Sequence, residues 1–281
     1  MCVSRLKLLK QLNPHTPIFA VYGGPLECYA SWNARIAPLV DDSWCFTQPR
    51  DLEWKWRNGD QILSNWFQER GAELSWDSVM IVQWDLLILA PIETLFKGLG
   101  PEDVYLPGLI PVAEVEQEWC WVRPDHWEAE IYQAFRDHMA KALGYNGPWL
   151  ACQFITAVFP RRFLERYSTI PEPEIGFLEY KLPSCAVALG FRPTEVSTID
   201  VAWPVGPRRQ RRPACSAERW EVGALTIAWN WSRPDGQRLF HPFYRPFPCH
   251  RWAMVGFLLV DSLVTELGGR LQRAWRKRVS G

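Results

Sequence analysis

The sequence lacks a net charge. Its 31 Lys and Arg residues are balanced by 31 Asp and Glu residues, so no global field draws the chain to nucleic acid or to an acidic surface, and any such attraction must be local. It also lacks the C-x-x-C pairs of a zinc site and the cysteine density of a disulfide scaffold. The eight cysteines, at positions 2, 28, 45, 120, 152, 185, 215 and 249, are scattered singly and read as reduced thiols of a cytoplasmic protein. No run spans a bilayer: the nearest, Trp252 to Val260, meets Asp261 far short of the ~20 apolar residues required. The N-terminal Met-Cys-Val-Ser-Arg-Leu-Lys-Leu-Leu-Lys is basic but has no uninterrupted apolar core, so export is not expected. No internal repeat or clean linker divides the 281 residues, a length that suits one elaborated domain.

What is plentiful is tryptophan, with seventeen residues. Its flat apolar faces pack well on sugar rings, and they fill cores equally well.

Along the chain, Thr16 to Pro25 (TPIFAVYGGP) reads as a buried strand running into a Gly-Gly-Pro turn, where backbone can approach a ligand closely. A helix over 29–38 and a short strand over 43–47 then make a βαβ beginning. Apolar residues at 62, 63, 66 and 67 predict an amphipathic helix over 58–71 with Gly71 as its C-cap. Further elements are an apolar strand over 78–89, a long helix from Trp127 to Leu143 that stops at Gly144, and an apolar strand over 149–159. Alternating helix and strand is the grammar of an α/β sheet covered by helices, with ligands at the carboxyl ends of the strands.

The strand over 78–89, SVMIVQWDLLIL, is interrupted by one carboxylate, Asp85. Burying an ionised Asp there costs several kcal/mol, roughly, unless a cation or hydrogen-bond donors compensate it. Asp85 is therefore placed where the strand leaves the sheet, facing something positive. Two readings stand: a ligand of a divalent metal that carries a phosphorylated group, or a strand-terminal Asp that caps a turn or pairs with an Arg. Asp77 cannot share an ion with it, because eight residues of strand separate the two by roughly 26 Å.

Three more stretches carry candidate chemistry. Pro183 has no N–H for the carbonyl of Glu179 and disfavours helical geometry at Leu182, so a helix is expected to begin near 183. Glu179 then lies near its positive end, ionised at neutral pH and able to accept a proton from a hydroxyl, or merely complementing the helix dipole. His241, between aromatic and Pro residues in a late loop, is either structural or a second metal contact from a distant part of the chain. In Trp54-Lys-Trp-Arg-Asn-Gly-Asp60, a helix start with Lys55 or Arg57 favours phosphate, while Asn58 or Asp60 could equally be a solvated cap.

The order of these pieces resembles a GT-A-type glycosyltransferase, over about residues 16–248. Gln83-Trp84-Asp85 stands where that nucleotide-sugar-dependent superfamily usually has Asp-x-Asp. The resemblance implies a single GT-A-like domain over 1–250, α/β, with a mixed, mostly parallel central sheet flanked by helices. It implies Asp85 and His241 as ligands of a divalent metal (Mn or Mg) and Glu179 as the general base of an inverting transfer. It puts Tyr22, Gly23, Gly24, Lys55, Asn58, Asp60 and Trp84 against the nucleotide of the donor, with a hydroxyl acceptor as second substrate.

Two other readings compete. A nucleotidyltransferase would usually carry a basic Gly-rich loop after its first strand, and Tyr22 to Glu27 (YGGPLE) has no basic residue. A non-catalytic carbohydrate-binding protein would use the tryptophans alone. At the C-terminus, residues 251–281 read as an amphipathic basic helix: Leu258, Leu259, Leu263, Leu267 and Leu271 share one face, and Arg270, Arg273, Arg276, Lys277 and Arg278 cluster at the end. That pattern suits peripheral contact with a membrane, or a docked helix with a solvated tail.

Overall fold

A computed structural model describes residues 2–210, 213–217, 220–248, 253–258 and 260–261. The first unit is α1 (Cys2–Leu12), β1 (Phe19–Tyr22), α2 (Tyr29–Ile36) and β2 (Asp42–Cys45). β1 and β2 pair in parallel, Phe19 opposite Asp42 and Tyr22 opposite Cys45, as the expected βαβ beginning requires. Two helices follow, α3 (Leu52–Arg57) and α4 (Gly59–Glu69). The side chain of Asp51 caps α3 by accepting from the Trp54 N–H at 2.7 Å, which satisfies a donor the first helical turn leaves free. α4 turns Leu63, Trp66 and Phe67 inward, the face its periodicity predicts.

The remaining elements are β3 (Ser78–Val82), β4 (Leu87–Ile88), α5 (Ile92–Leu95), β5 (Asp103–Tyr105), β6 (Ile110–Pro111), α6 (Glu128–Leu143), β7 (Leu150–Ala151), β8 (Thr156–Pro160), α7 (Arg161–Tyr167), α8 (Leu178–Ala188), β9 (Arg192–Thr194), α9 (Ala224–Trp231) and β10 (Leu239–Phe240). Gly144 ends α6 in the left-handed region, φ 64°, where only a residue without a side chain sits freely.

The fold is mixed α/β, but the sheet is not mostly parallel. The largest sheet among the described residues has the order β3-β8-β5-β9. β8 runs antiparallel to both of its neighbours, and only the β5·β9 ladder is parallel. Apolar content and periodicity reveal that a strand exists and is buried; they carry no information about the direction of its neighbour. The expected strand over 78–89 is also two strands, β3 and β4, separated by a turn at Trp84 and Asp85. The strand expected over 149–159 divides likewise into β7 and β8.

The expected helix start near 183 is overturned as well. α8 begins at Leu178 and contains Pro183. The carbonyl of Glu179, which Pro183 cannot serve, accepts instead from the Cys152 N–H at 2.8 Å. A neighbouring segment supplies the missing donor, so the proline is tolerated within the helix.

One aromatic-rich core joins α4, α6, α7 and α8 to one part of the sheet, and includes Trp66, Phe135, Phe159, Phe163, Tyr180 and Trp203. A second cluster includes Leu9, Ile18, Leu86, Ile88, Tyr105 and Val158, so β8 contributes to both. The six described cysteines whose state is defined are free thiols. Among the described residues, no helix is long and apolar enough to cross a membrane. Of the expected C-terminal helix, residues 253–258 and 260–261 are helical; Leu259, Leu263, Leu267, Leu271 and the terminal basic cluster lie outside the described residues.

Candidate functional site

Asp85 stands in the turn just past the carboxyl end of β3 and is 7% exposed. β10 pairs antiparallel with β4, Leu239 opposite Ile88 and Phe240 opposite Leu87, and this ladder delivers the next residue, His241, to Asp85. The Phe243 N–H donates to the Asp85 carbonyl at 2.8 Å and fixes the two segments together. His241 Nε2 lies 3.3 Å from Asp85 Oδ1. This is an ionic-range contact, yet neither atom makes a directed hydrogen bond and both are shielded from solvent.

The other ring nitrogen fixes the tautomer. Nδ1 of His241 is 2.6 Å from the Ser216 carbonyl; a carbonyl only accepts, so Nδ1 carries the proton and, in the neutral ring, Nε2 carries the lone pair. A carboxylate oxygen and an imidazole lone pair at this separation suit adjacent ligands of one ion. Bonds of about 2.1 Å at a right angle put two ligand atoms about 3 Å apart. An N–H held by a backbone carbonyl is also the outer bond that metal-ligating histidines keep. Among the described residues no group of three or more His, Cys, Asp or Glu side chains is placed to hold an ion. The described residues thus offer such a site two ligands, Asp85 and His241.

Arg5 secures this arrangement from α1. Its guanidinium donates to the Trp84 carbonyl at 2.8 Å and also to the Phe243 carbonyl, so one buried cation ties down both segments that meet at Asp85. Trp84 itself is 54% exposed, its ring 5.7 Å from that of Tyr244. Nothing in the local sequence distinguishes Arg5 from the other basic residues near the N-terminus; its role exists only in the folded chain.

Glu179 is linked to this region through the backbone of one residue, Phe154. Its Oε1 accepts from the Phe154 N–H at 2.8 Å, and the Phe154 carbonyl accepts from the side chain of Gln83, two residues before Asp85. Gln83 thus performs a bridging task that its Gln-x-Asp spacing hinted at only as a replaced carboxylate. The expectation that Glu179 is ionised at neutral pH does not hold. Burial pushes its carboxyl up to about 8, and the Phe154 N–H only partly opposes that.

A cavity of about 1310 Å³ is lined by β1 and β3 together, with Trp32, Gln83, Trp84 and Phe154 among its walls. Among the described residues no ladder joins β1 to β3, so both strands present an edge to the space. Beside it the Tyr22-Gly23-Gly24 turn is closed by the protein's own groups. Lys55 Nζ donates to the Gly23 carbonyl at 2.8 Å, and the Tyr22 hydroxyl donates to the Pro25 carbonyl at 3.1 Å. The Tyr22 side chain lies across Gly24: a Cβ there would meet its hydroxyl oxygen at 2.5 Å, so a larger residue would displace that side chain.

Asn58 and Asp60 are placed elsewhere. Asn58 is buried and donates to the Trp54 carbonyl at 3.1 Å. Asp60 is 1% exposed, and its Oδ2 receives Lys181 at 2.8 Å, Gln61 at 2.7 Å and Tyr167 at 2.5 Å. Burial, and next the adjacent Asp60, raise the Tyr167 hydroxyl well above its ordinary range. The structure therefore brings together Asp85 with His241 and Lys55 with the glycine turn, and commits Asp60 to the core.

Comparison with protein-family models finds no match, and no curated protein matches the chain.

Proposed function

We propose that the chain is a metal-assisted glycosyltransferase, moving a sugar from a nucleotide diphosphate donor to a hydroxyl acceptor. The observation that carries the reading is the meeting of Asp85 Oδ1 and His241 Nε2, 3.3 Å apart, buried and without directed hydrogen bonds. Asp85 and His241 would hold the ion, and a bound divalent ion supplies Lewis-acid stabilisation of the leaving diphosphate. Trp84 and the cavity edge border the donor. Glu179 is the proposed base: a carboxylate of raised proton affinity is the stronger acceptor once ionised, and a base works best when its pKa lies near the working pH.

Calorimetric titration with UDP and Mn²⁺ tests the metal assignment. The wild-type chain should bind UDP only with the metal, and Asp85→Asn or His241→Ala should weaken that binding by about 10-fold or more; equal binding by all three proteins sinks the reading. For the base, kcat/KM should rise with pH toward about 8, and Glu179→Gln should lower it roughly 10²–10⁴-fold.

A second reading, a non-catalytic carbohydrate-binding protein, is favoured by one surface. Trp56 and Trp127 are 58% and 62% exposed; Trp56 lies 5.4 Å from Trp121, and Arg57 packs on both Trp121 and Trp127. Metal-dependent hydrolysis of a nucleotide sugar would decide against it.

A further inference from the structure

We propose a docking surface for an anionic lipid bilayer, formed by the outer face of α9 and the helical residues that follow 252. α9 has the sequence ALTIAWNW, without a charged residue. Ala224 and Ile227 face inward, onto a cluster with Phe240, Phe243, Phe247, Met254 and Leu258. The exposed positions of the helix are Leu225, at 59%, and Trp229, at 64%, one turn apart on the same face. A helix that faces water normally turns charged or polar side chains outward. This one turns outward a leucine and a tryptophan.

The segments on either side of α9 also expose apolar side chains. Trp220, just before it, is 81% exposed. Met254 and Leu258 bury against the same cluster as α9, and the helical segment that carries them exposes Val255 and, beyond it, Val260. Of the twelve large apolar side chains exposed among the described residues, these five fall between 220 and 260; the others are spread over the first 127 residues. All five stand on segments anchored in that one cluster, through Val222, α9, Met254 and Leu258, and exposed apolar side chains gathered in this way mark an interaction surface.

Charge selects the occupant. Among the described residues, the acidic groups on these segments are each held by an arginine: Asp235 by Arg233, and Glu221 and Asp261 by Arg245; Glu218 lies outside the described residues. Arg233 also packs 5.7 Å from the Trp229 ring, and Arg238 is spent on carbonyls at the end of α9. No unpaired carboxylate among these groups would repel a negative headgroup. Directly after the patch, the sequence 262–281 carries five basic residues, Arg270, Arg273, Arg276, Lys277 and Arg278, against one acidic residue, Glu266. An apolar insertion face plus a polybasic segment is the two-part combination that makes peripheral attachment stable, because either part alone binds weakly. Tryptophan at the rim suits the headgroup boundary, where its ring is half apolar and half polar.

The test is flotation of the full chain with phosphatidylcholine vesicles, with and without phosphatidylserine, at low and high salt. The wild-type chain should float with the phosphatidylserine vesicles and be released by salt. Leu225→Ser with Trp229→Ser, both at exposed positions, should keep the wild-type circular dichroism and lose roughly 10-fold or more of the partitioning. A second variant, with the five terminal basic residues changed to Gln, should lose the salt-sensitive part and spare the core. Wild-type chain that stays unbound with both vesicle types overturns the proposal, as does a double-serine variant that floats as well as wild type. Vesicle-independent dimerisation abolished by the same two serines would assign the face to a second copy of the chain and overturn it too.

Discussion

Asp60 and Asp85 are the same residue type at similar burial, and the protein treats them oppositely. Asp60, on α4, is answered from inside: an ammonium, a phenol and an amide converge on one oxygen. Asp85, in the turn after β3, meets one imidazole at 3.3 Å, and its facing oxygen has no directed hydrogen bond. The other oxygen of Asp60, Oδ1, is likewise buried without a hydrogen bond, so what separates the two is the ammonium: a carboxylate with a cation on it is compensated and holds the core in register, whereas one facing a lone pair has room for a cation. Burial alone does not mark a functional carboxylate. What matters is whether the fold has already spent its charge.

The largest expected effect follows from the completed pair. Lys181→Met should destabilise the chain by about 3–5 kcal/mol in urea unfolding, since Asp60 is left buried and uncompensated. Adding Asp60→Asn to that variant should recover much of the loss. If Lys181→Met proves neutral, Asp60 is not held as described and returns to the list of ligand-binding candidates.

Glu179 stands between the two cases, buried with a single backbone N–H and, among the described residues, no cation. Its carboxyl has a folded value of about 8, against 4.5 for an unperturbed group. The folded chain therefore keeps this proton over a range in which the unfolded chain has lost it. Its contribution to stability is full below about 4.5, falls as pH rises, and levels off above about 8. Glu179→Gln should remove that decline, on the order of a few kcal/mol, as read from unfolding curves across the range. A decline of equal size in the variant would show that another group causes it.

Asp85→Asn should move stability by no more than about 1 kcal/mol, because no completed ion pair is broken. A loss as large as that of Lys181→Met would make Asp85 structural and erase the contrast. The smallest effect is expected from Lys55→Met, which removes one half-buried bond to the Gly23 carbonyl and should cost under about 1 kcal/mol in thermal unfolding.

Much of the local structure was legible in the sequence. The strand before Gly23, the helices at 59–69 and 128–143, the latter with its glycine stop, and the position of Asp85 past the end of its strand all follow from periodicity, capping and the cost of a buried charge. The pairing of Asp85 with His241 was also anticipated, as an orphan carboxylate and a late histidine needing partners. The direction of β8, the helix running through Pro183 and the proton on Glu179 were not. Each depends on a group far away in sequence: a neighbouring strand, the Cys152 N–H, the environment that excludes water.

Local pattern thus settled several of the helices and strands and which carboxylates would need an explanation, because backbone preference and desolvation act residue by residue. The fate of each carboxylate was decided only when the chain closed. Lys181 reached Asp60, His241 reached Asp85, and no cation among the described residues reached Glu179; Coulomb energy and hydrogen bonding depend on distance in space, and spacing along the chain does not fix that distance.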